Sequence, residues 1–477
     1  MRKVLFYAII GIVGILLLSV QSAYMQLSHI SGYATTLIHL KAWLNQGIST
    51  LHFSPSYTQG NIGDRFIQFY QGPIDSKGNC FYTSFPPGAL WISYLWVKLW
   101  PIEMSLALGI FNTLLFIISL IGLGKWAYAL LEIENYPKRS WIIPSSILLI
   151  GLTPLVLFFF ANYYFIENIS FTLSIWCSFL LWRYQQNEQH SKTHYFILIA
   201  AIFLLSFCES IGIFYGVVFI YILYKRQKSI KPAFFTLLAS ILLTIALYAS
   251  IDGPWTFVYQ SILRLVGRSG LTNAHFAENG ATLWNGRLLQ SGFSILKSEA
   301  SPILFLSCSS LLLWIIAKRR QEEVAHLRGI RLAVLPVIIH TILFLNANLQ
   351  HHQLIIKLLI IAWPILLIGF SNKRWIWSLL FIGAAYLSYV QLGYRFNHRQ
   401  LEEERYVEQC ANELKNTPRA ESIFINCSHA QEAQIPVLIY YSGRNIGLAH
   451  SRGKQAQIKS YEVDSFWHLS APNLLHQ

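Results

Sequence analysis

A polar, aromatic segment over residues 63–88 holds the first side chains that could do chemistry. Asp64 and Asp75 lie in it together with Tyr82. A carboxylate can take a proton from a hydroxyl group, and a tyrosine hydroxyl can donate a hydrogen bond. The segment ends in YTSFPPG, where Pro87 suits the first turn of a helix because the N–H groups of that turn have no partner within the helix. The sequence therefore predicts a folded loop that a helix fixes at its end.

Cations that could hold an anionic ligand occur in later polar stretches. Arg264 and Arg268 are one helical turn apart, and a guanidinium group matches the geometry of a phosphate. A solvated pair, or one that faces lipid headgroups, is the alternative interpretation. Lys357 lies about one turn below an outer turn of the chain. It could contact a phosphate there, or it could extend along its own stem to the membrane interface.

Glu209 and a histidine pair complete the candidate set. An ionisable group near the end of a membrane segment is costly unless it faces a cavity or a partner, so Glu209 could shape a site or form a structural ion pair. His351 and His352 could suggest a metal, but the sequence offers no assignable third ligand. We therefore expect no metal, and we expect His351, His352, Glu209 and Tyr82 to contact substrate.

The composition indicates what kind of protein must position these residues. The 477 residues are 54% hydrophobic and only 12% charged, with a mean hydropathy of +0.44. A soluble chain carries roughly twice that charged fraction. Many apolar runs of about 17–25 residues could cross a hydrocarbon core of roughly 30 Å, among them single spans over 104–131 and 141–161. The sequence therefore predicts an α-helical polytopic membrane protein with about 11 transmembrane helices.

Lysine and arginine cluster in the short loops between apolar runs. This placement marks cytoplasmic loops, so the net charge of +14 does not indicate nucleic acid binding. With these loops inside, two long loops, about 24–100 and 252–300, lie outside. Residues 395–477 follow a transmembrane domain of residues 1–394 and also lie outside the cytoplasm. Transporters keep such loops short, so this arrangement favours chemistry on a membrane-bound substrate at the outer leaflet.

Three local patterns refine this arrangement. Residues 33–44 have the pattern of an amphipathic helix at the interface, and Gly47 ends it. The short apolar runs 195–207 and 211–224 predict a helical hairpin with Glu209 near its outer tip. Each run is short for a full crossing, which is why we expect a short hairpin here.

The last 80 or so residues change character. Strand patterns at 422–427 and 446–449 flank a helical pattern at 436–442, which predicts a small α/β domain. Cys410 and Cys427 share this part of the chain and could form a disulfide.

The segment 82–88 and the helix that follows it, residues 91–98, resemble the GT-C superfamily of integral-membrane glycosyltransferases. The resemblance is to the bacterial branch that is similar to protein mannosyltransferases and aminoarabinose transferases. The order of elements is similar as well: a span, a long loop with interfacial helices, two short spans midway, a second outer loop and a terminal outer domain. Residues 440–445, YYSGRN, look like a motif in the terminal domain of related proteins.

The resemblance implies an inverting sugar transfer from a polyprenyl-phosphate donor, without a tightly held cofactor. The acceptor would be a glycan, a lipid or a protein outside the cytoplasm, and the surroundings would be the lipids of a bacterial inner membrane, with no nucleic acid partner. In many members of the superfamily the general base is an acidic residue soon after the first span, but here residues 27–32, LSHISG, contain no carboxylate.

Asp64 is then the best carboxylate for the catalytic base, and His29 is the alternative at neutral pH. The plain alternatives are a turn residue beside Gly63 for Asp64 and an interfacial polar residue for His29. The missing carboxylate also favours a second hypothesis, a non-catalytic binder or transporter of lipid-linked sugars on the same scaffold.

Overall fold

A computed structural model describes most of the chain. The described residues are 6–8, 10–15, 17, 31–58, 73–133, 142–161, 165–186, 192–269, 301–319, 325–344, 356–370, 382–387, 412, 414–416, 423–426, 435–442, 446–448 and 460–462. These residues are mainly helical, with short strands near the C-terminus. The helices are α1 (Phe6–Ile15), α2 (Ser31–Gln46), α3 (Gly88–Leu99), α4 (Met104–Ile133), α5 (Ile142–Gly151), α6 (Pro154–Ala161), α7 (Phe165–Gln186), α8 (Lys192–Cys208), α9 (Ile211–Lys225), α10 (Lys231–Asp252), α11 (Pro254–Ser269), α12 (Ser301–Arg319), α13 (Ala325–Leu343), α14 (Leu358–Phe370) and α15 (Ile435–Ser442). The strands are β1 (Ile423–Asn426), β2 (Ile446–Leu448) and β3 (Ser460–Glu462).

Two of the described helices are long and apolar enough to cross a membrane. They cover Met104–Glu132 in α4 and Lys231–Ile251 in α10. Six shorter helices are also apolar, and they are Phe6–Ile15, Lys192–Cys208, Ile211–Lys225, Ser301–Leu312, Gly329–Leu343 and Leu358–Leu367. The described part of the chain is therefore helical with two candidate membrane spans, while the membrane setting and the number of about 11 transmembrane helices stay predictions.

Helices α4 and α7 pack together through polar groups within an apolar surrounding. The Asn168 side-chain amide donates to Asn112 Oδ1 at 2.7 Å and to the Phe159 carbonyl at 2.8 Å. The hydroxyl groups of Ser119 and Thr172 lie 2.9 Å apart. Such bonds hold helices together where little water is present to compete for the same groups.

The stretch 141–161, predicted as a single span, consists of two helices, α5 and α6, and its crossing of the membrane stays a prediction. Pro154 begins α6, and a proline has no N–H to donate and clashes with the carbonyl four residues earlier. The Thr153 hydroxyl donates to the Ile150 carbonyl at 2.8 Å, which satisfies a carbonyl at the end of α5. The proline therefore breaks the helix where composition alone indicated continuity.

The predicted interfacial helix and the predicted hairpin are both confirmed as local structures. Helix α2 ends at Gly47, whose N–H donates to the Trp43 carbonyl at 3.0 Å. Helices α8 and α9 form an α-helical hairpin, and Glu209 lies in the turn between them. The hairpin packs against α7 and α10, so its turn belongs to the helical core.

The C-terminal strands form a parallel sheet of order β2-β1-β3. The predicted strands and the helix between them are confirmed as β1, β2 and α15, whereas β3 was not predicted. Helix α15 packs on α2, and Lys41 Nζ lies 5.7 Å from the centre of the Tyr440 ring. Cys410 and Cys427 lie outside the described residues.

Candidate functional site

One face of α2 holds an extended segment, residues 54–58. His39, Trp43 and Gln46 are spaced so that they share one face of the helix. Their side chains hydrogen-bond to the carbonyls of residues 56, 54 and 58, at 2.7, 2.8 and 2.8 Å. The segment is thus fixed along the helix at every second carbonyl.

The other edge of this segment pairs with residues 80–82. The Tyr57 N–H donates to the Cys80 carbonyl at 2.9 Å, and the Tyr82 N–H donates to the Pro55 carbonyl at 2.8 Å. The Cys80 N–H donates in turn to Thr58 Oγ1 at 2.9 Å. These bonds connect α2, through residues 54–58, to the start of the YTSFPPG segment, which we call the 82–88 loop.

Asp75, one of the two carboxylates in this part of the sequence, belongs to a turn. Its Oδ1 accepts the backbone N–H groups of Lys77 and Asn79, each at 2.9 Å, and its Oδ2 accepts the Asn79 side-chain amide at 2.9 Å. An aspartate that bonds the backbone two and four residues ahead stabilises a tight turn. The contacts of Asp75 therefore support a structural role.

The buried histidine of α2 contacts the 82–88 loop. The ring centre of His39 lies 5.6 Å from that of Tyr82 and 4.7 Å from that of Tyr57. Burial lowers the pKa of His39 to about 4, and the hydrogen bond to the Ser56 carbonyl opposes this shift only in part. His39 is therefore neutral at pH 7, with its Nδ1 proton donated to that carbonyl.

Two distant helices bond directly to the 82–88 loop. Arg264 Nη1, from α11, donates to the Thr83 carbonyl at 2.7 Å and to Thr83 Oγ1 at 3.0 Å. The Tyr248 hydroxyl, from α10, donates to the Phe85 carbonyl. The Arg264 side chain is buried, with a relative exposure of 4% for the residue. The first and second long polar loops of the sequence therefore meet at this point.

The end of the loop is packed against the α8–α9 hairpin. A Cβ atom on Gly88 would overlap the Phe207 ring and would lie 2.5 Å from the Phe207 carbonyl oxygen. Only glycine allows two backbones to approach so closely. Gly88, the first residue of α3, is thus packed against Phe207 of α8, which lies two residues before Glu209 in the sequence.

A buried ionic cluster lies at this end of the hairpin. Lys357 Nζ and His340 Nε2 lie 2.5 Å and 3.4 Å from the same oxygen, Glu209 Oε1. All three side chains are at most 5% exposed. Within the described part of the chain, Glu209 Oε2 is buried without a hydrogen-bond partner. The cluster joins the hairpin to the end of α13 and the start of α14.

The structure brings several of the predicted site residues together. Tyr82 and Arg264 meet at the 82–88 loop, and Glu209 and Lys357 form an ion pair. Arg268 lies on α11, but its side chain is outside the described residues. The remaining predicted residues also lie outside the described part of the chain, and they are His29, Asp64, His351 and His352.

Sequence reasoning missed three residues of this region, and the available signals differ among them. His39 shares one helical face with two other polar donors, which could have indicated a helix that binds a neighbouring segment. His340 is a polar residue in an apolar run, which is a sign of a partner inside the bundle. Tyr248 carries no sequence signal, because an aromatic residue in an apolar helix is ordinary.

No protein-family model and no curated protein match the chain. Among solved structures, the chain is similar to an oligosaccharyltransferase from Archaeoglobus fulgidus, whose crystal structure contains zinc and sulfate. The two share 11% sequence identity at a TM-score of 0.47. The match covers 88% of this chain and 58% of the archaeal chain. A likeness at this level does not establish activity, substrate or partners.

Proposed function

We propose that the chain is an integral-membrane glycosyltransferase. It transfers a sugar from a polyprenyl-phosphate donor to an acceptor on the extracytoplasmic side of the membrane. The observation that carries the proposal is the pair of hydrogen bonds from Arg264 to Thr83. They join the loop with the glycosyltransferase-like sequence to the helix with the predicted phosphate-binding arginines, although 181 residues separate the two in sequence.

In this proposal Arg264 stabilises the departing lipid phosphate. A guanidinium group held in a buried position, next to the reacting loop, stabilises negative charge as it develops on the leaving group. Arg268 lies one turn further along α11 and would assist. The base, Asp64 or His29, removes the proton from the acceptor hydroxyl. The hydroxyl oxygen then bonds to the anomeric carbon as the bond from that carbon to the phosphate oxygen breaks.

The Glu209–Lys357 pair has a positioning role in this proposal. Lys357 lies 2.5 Å from a carboxylate oxygen, so its charge is balanced inside the bundle. The pair fixes the α8–α9 hairpin against α14, and Phe207 of the same hairpin packs against Gly88. The cluster thereby sets where the end of the 82–88 loop lies.

The proposal can be tested with purified protein in liposomes that contain polyprenyl-phosphate-linked sugars. We expect the protein to consume the lipid donor, and we expect Arg264→Met to lower turnover by roughly 100- to 1,000-fold, the usual effect of losing one charge-stabilising donor. The matched control is Arg183→Met, which removes an exposed arginine at the end of α7 and should leave turnover unchanged.

Two further results would decide between the alternatives. Unchanged turnover in Asp64→Asn would remove Asp64 as the base and leave His29 to be tested by His29→Gln. If the wild-type protein binds lipid-linked sugar but never consumes it with any acceptor supplied, the chain is a binder or transporter and the catalytic proposal fails.

A further inference from the structure

Helix α11 has an exposed apolar face. Trp255, Tyr259, Ile262 and Leu265 follow each other at steps of three and four residues, so they lie along one side of the helix. Their relative exposures are 83%, 63%, 54% and 42%. A face of this kind is costly in water, so it requires an apolar partner.

The opposite face of the same helix is fixed to the protein. Arg264 is buried and bonded to Thr83, as described above, and Tyr248 of α10 packs on Phe257 with the ring centres 5.0 Å apart. The charged side of α11 is therefore directed inward and its apolar side outward. This is the reverse of what a helix on a water-exposed surface presents.

The corner between α10 and α11 turns the chain sharply. Gly253 has φ = +81°, a conformation that favours glycine, and it is the single residue between the two helices. Residues nine positions apart in a straight helix are separated by about 13 Å, yet the rings of Tyr248 and Phe257 are in contact across the corner. Helix α11 therefore does not continue the direction of α10.

Helix α10 is a candidate membrane span with an exposed apolar surface of its own. Only 22% of the most apolar stretch of this helix is buried, and Leu242 is 53% exposed. The apolar face of α11 begins directly where this span ends, and it begins with a tryptophan and a tyrosine. These residues favour the boundary between hydrocarbon and headgroups. Helix α11 also carries no acidic residue that anionic headgroups would repel.

We propose that α11 lies in the membrane interface, with the Trp255–Leu265 face in lipid and Arg264 directed inward to the 82–88 loop. The partner of this face is the outer surface of an anionic bilayer. The inference rests on the membrane setting of the proposed function and is independent of sugar transfer. It means that the lipid surface helps to fix the helix that holds Arg264 on Thr83.

Spin labels can test this in the full-length protein, reconstituted in nanodiscs of phosphatidylcholine and phosphatidylglycerol. Labels at Tyr259→Cys and Ile262→Cys sample the proposed lipid face. Leu242→Cys is the control for a label in the bilayer, and Lys228→Cys, in the exposed turn after α9, is the control for water. The labelling cysteines are introduced into a parent protein in which the exposed Cys308, together with Cys410 and Cys427, is replaced by serine.

We expect the two α11 labels to be accessible to oxygen and protected from a water-soluble nickel complex, as the Leu242→Cys label is. Nickel accessibility equal to that of Lys228→Cys would overturn the inference. So would protection from both reagents, which would mean that protein covers the face, or dipolar broadening between two labelled copies, which would mean a dimer contact. A failure of donor consumption in liposomes would leave these label depths unchanged, so the two proposals fail separately.

Discussion

Removing one partner of the Glu209–Lys357 pair should destabilise the protein much more than removing both. The two charges lie 2.5 Å apart, which gives a gross attraction of about 7 kcal/mol at an effective dielectric constant of about 20. Desolvation of two buried ions costs several kcal/mol each, so most of this attraction is offset. Either single variant keeps one desolvated ion and loses its partner.

The perturbations are Glu209→Gln, Lys357→Met and the double variant. Each single change should lower the free energy of unfolding by about 3–5 kcal/mol, because it leaves an uncompensated charge in the bundle. The double variant places two neutral side chains in the same space. It should therefore lose less stability than either single variant, whereas independent sites would lose the sum.

The assay is equilibrium unfolding in mixed detergent micelles, with all four proteins measured under the same conditions. His340 lies near the same carboxylate oxygen in every variant that retains Glu209. The comparison of the single and double variants therefore isolates the Glu209–Lys357 pair only if His340→Gln alone has a smaller effect on the free energy of unfolding. Single variants that cost less than about 1 kcal/mol, or a double variant equal to the sum of the singles, would refute the conclusion that this pair is buried and coupled.

Three further changes address the 82–88 loop and the helices around it. Gly88→Ala should lower stability by about 1–3 kcal/mol, because the new methyl group meets backbone atoms of Phe207 that cannot easily move, whereas Gly11→Ala on α1 has nothing within 4 Å and should be neutral or stabilising in the same thermal unfolding assay. Tyr248→Phe should lower stability by about 0.5–1.5 kcal/mol through the lost hydrogen bond to the Phe85 carbonyl, and an unchanged unfolding curve would contradict that bond. His39 has a pKa of about 4 when folded and the ordinary 6.5 when unfolded, so above pH 6.5 it adds no pH dependence, and as the pH falls from 6.5 to 4 only the unfolded chain takes up its proton. Stability should therefore fall by up to about 3 kcal/mol over that range, and His39→Asn should lack this part of the pH dependence in an unfolding series.

The local structure could largely be predicted from the sequence because its causes are local. The pattern of residues 33–44 and the glycine that follows it predict α2, and the two prolines before Gly88 predict the start of α3. Both elements are present with nearly these bounds. The break between α5 and α6 was not predicted, because hydropathy averages over many residues and does not reveal the effect of a single proline, Pro154.

The contacts that build the candidate site could not be predicted in this way. Thr83 and Arg264 are 181 residues apart, and Glu209 and Lys357 are 148 residues apart. Periodicity specifies which side of an element is apolar, but it does not specify which partner that side meets. The residue types were still informative, because a buried charge requires a partner, and the sequence contains few charges in its apolar runs.

The ion pair of Lys357 also affects which of the predicted cations, Lys357 or Arg264, can contact a phosphate more easily. A phosphate contact of Lys357 stays a prediction, but it would require the ammonium group to leave a carboxylate oxygen 2.5 Å away in a buried cluster. The carboxylate of Glu209 would then lose its cation and repel the incoming phosphate. Arg264 needs no such exchange, because its donors to Thr83 keep the guanidinium group at the loop. If the chain binds a lipid phosphate, Arg264 is therefore the cation that can approach it at the lower free-energy cost.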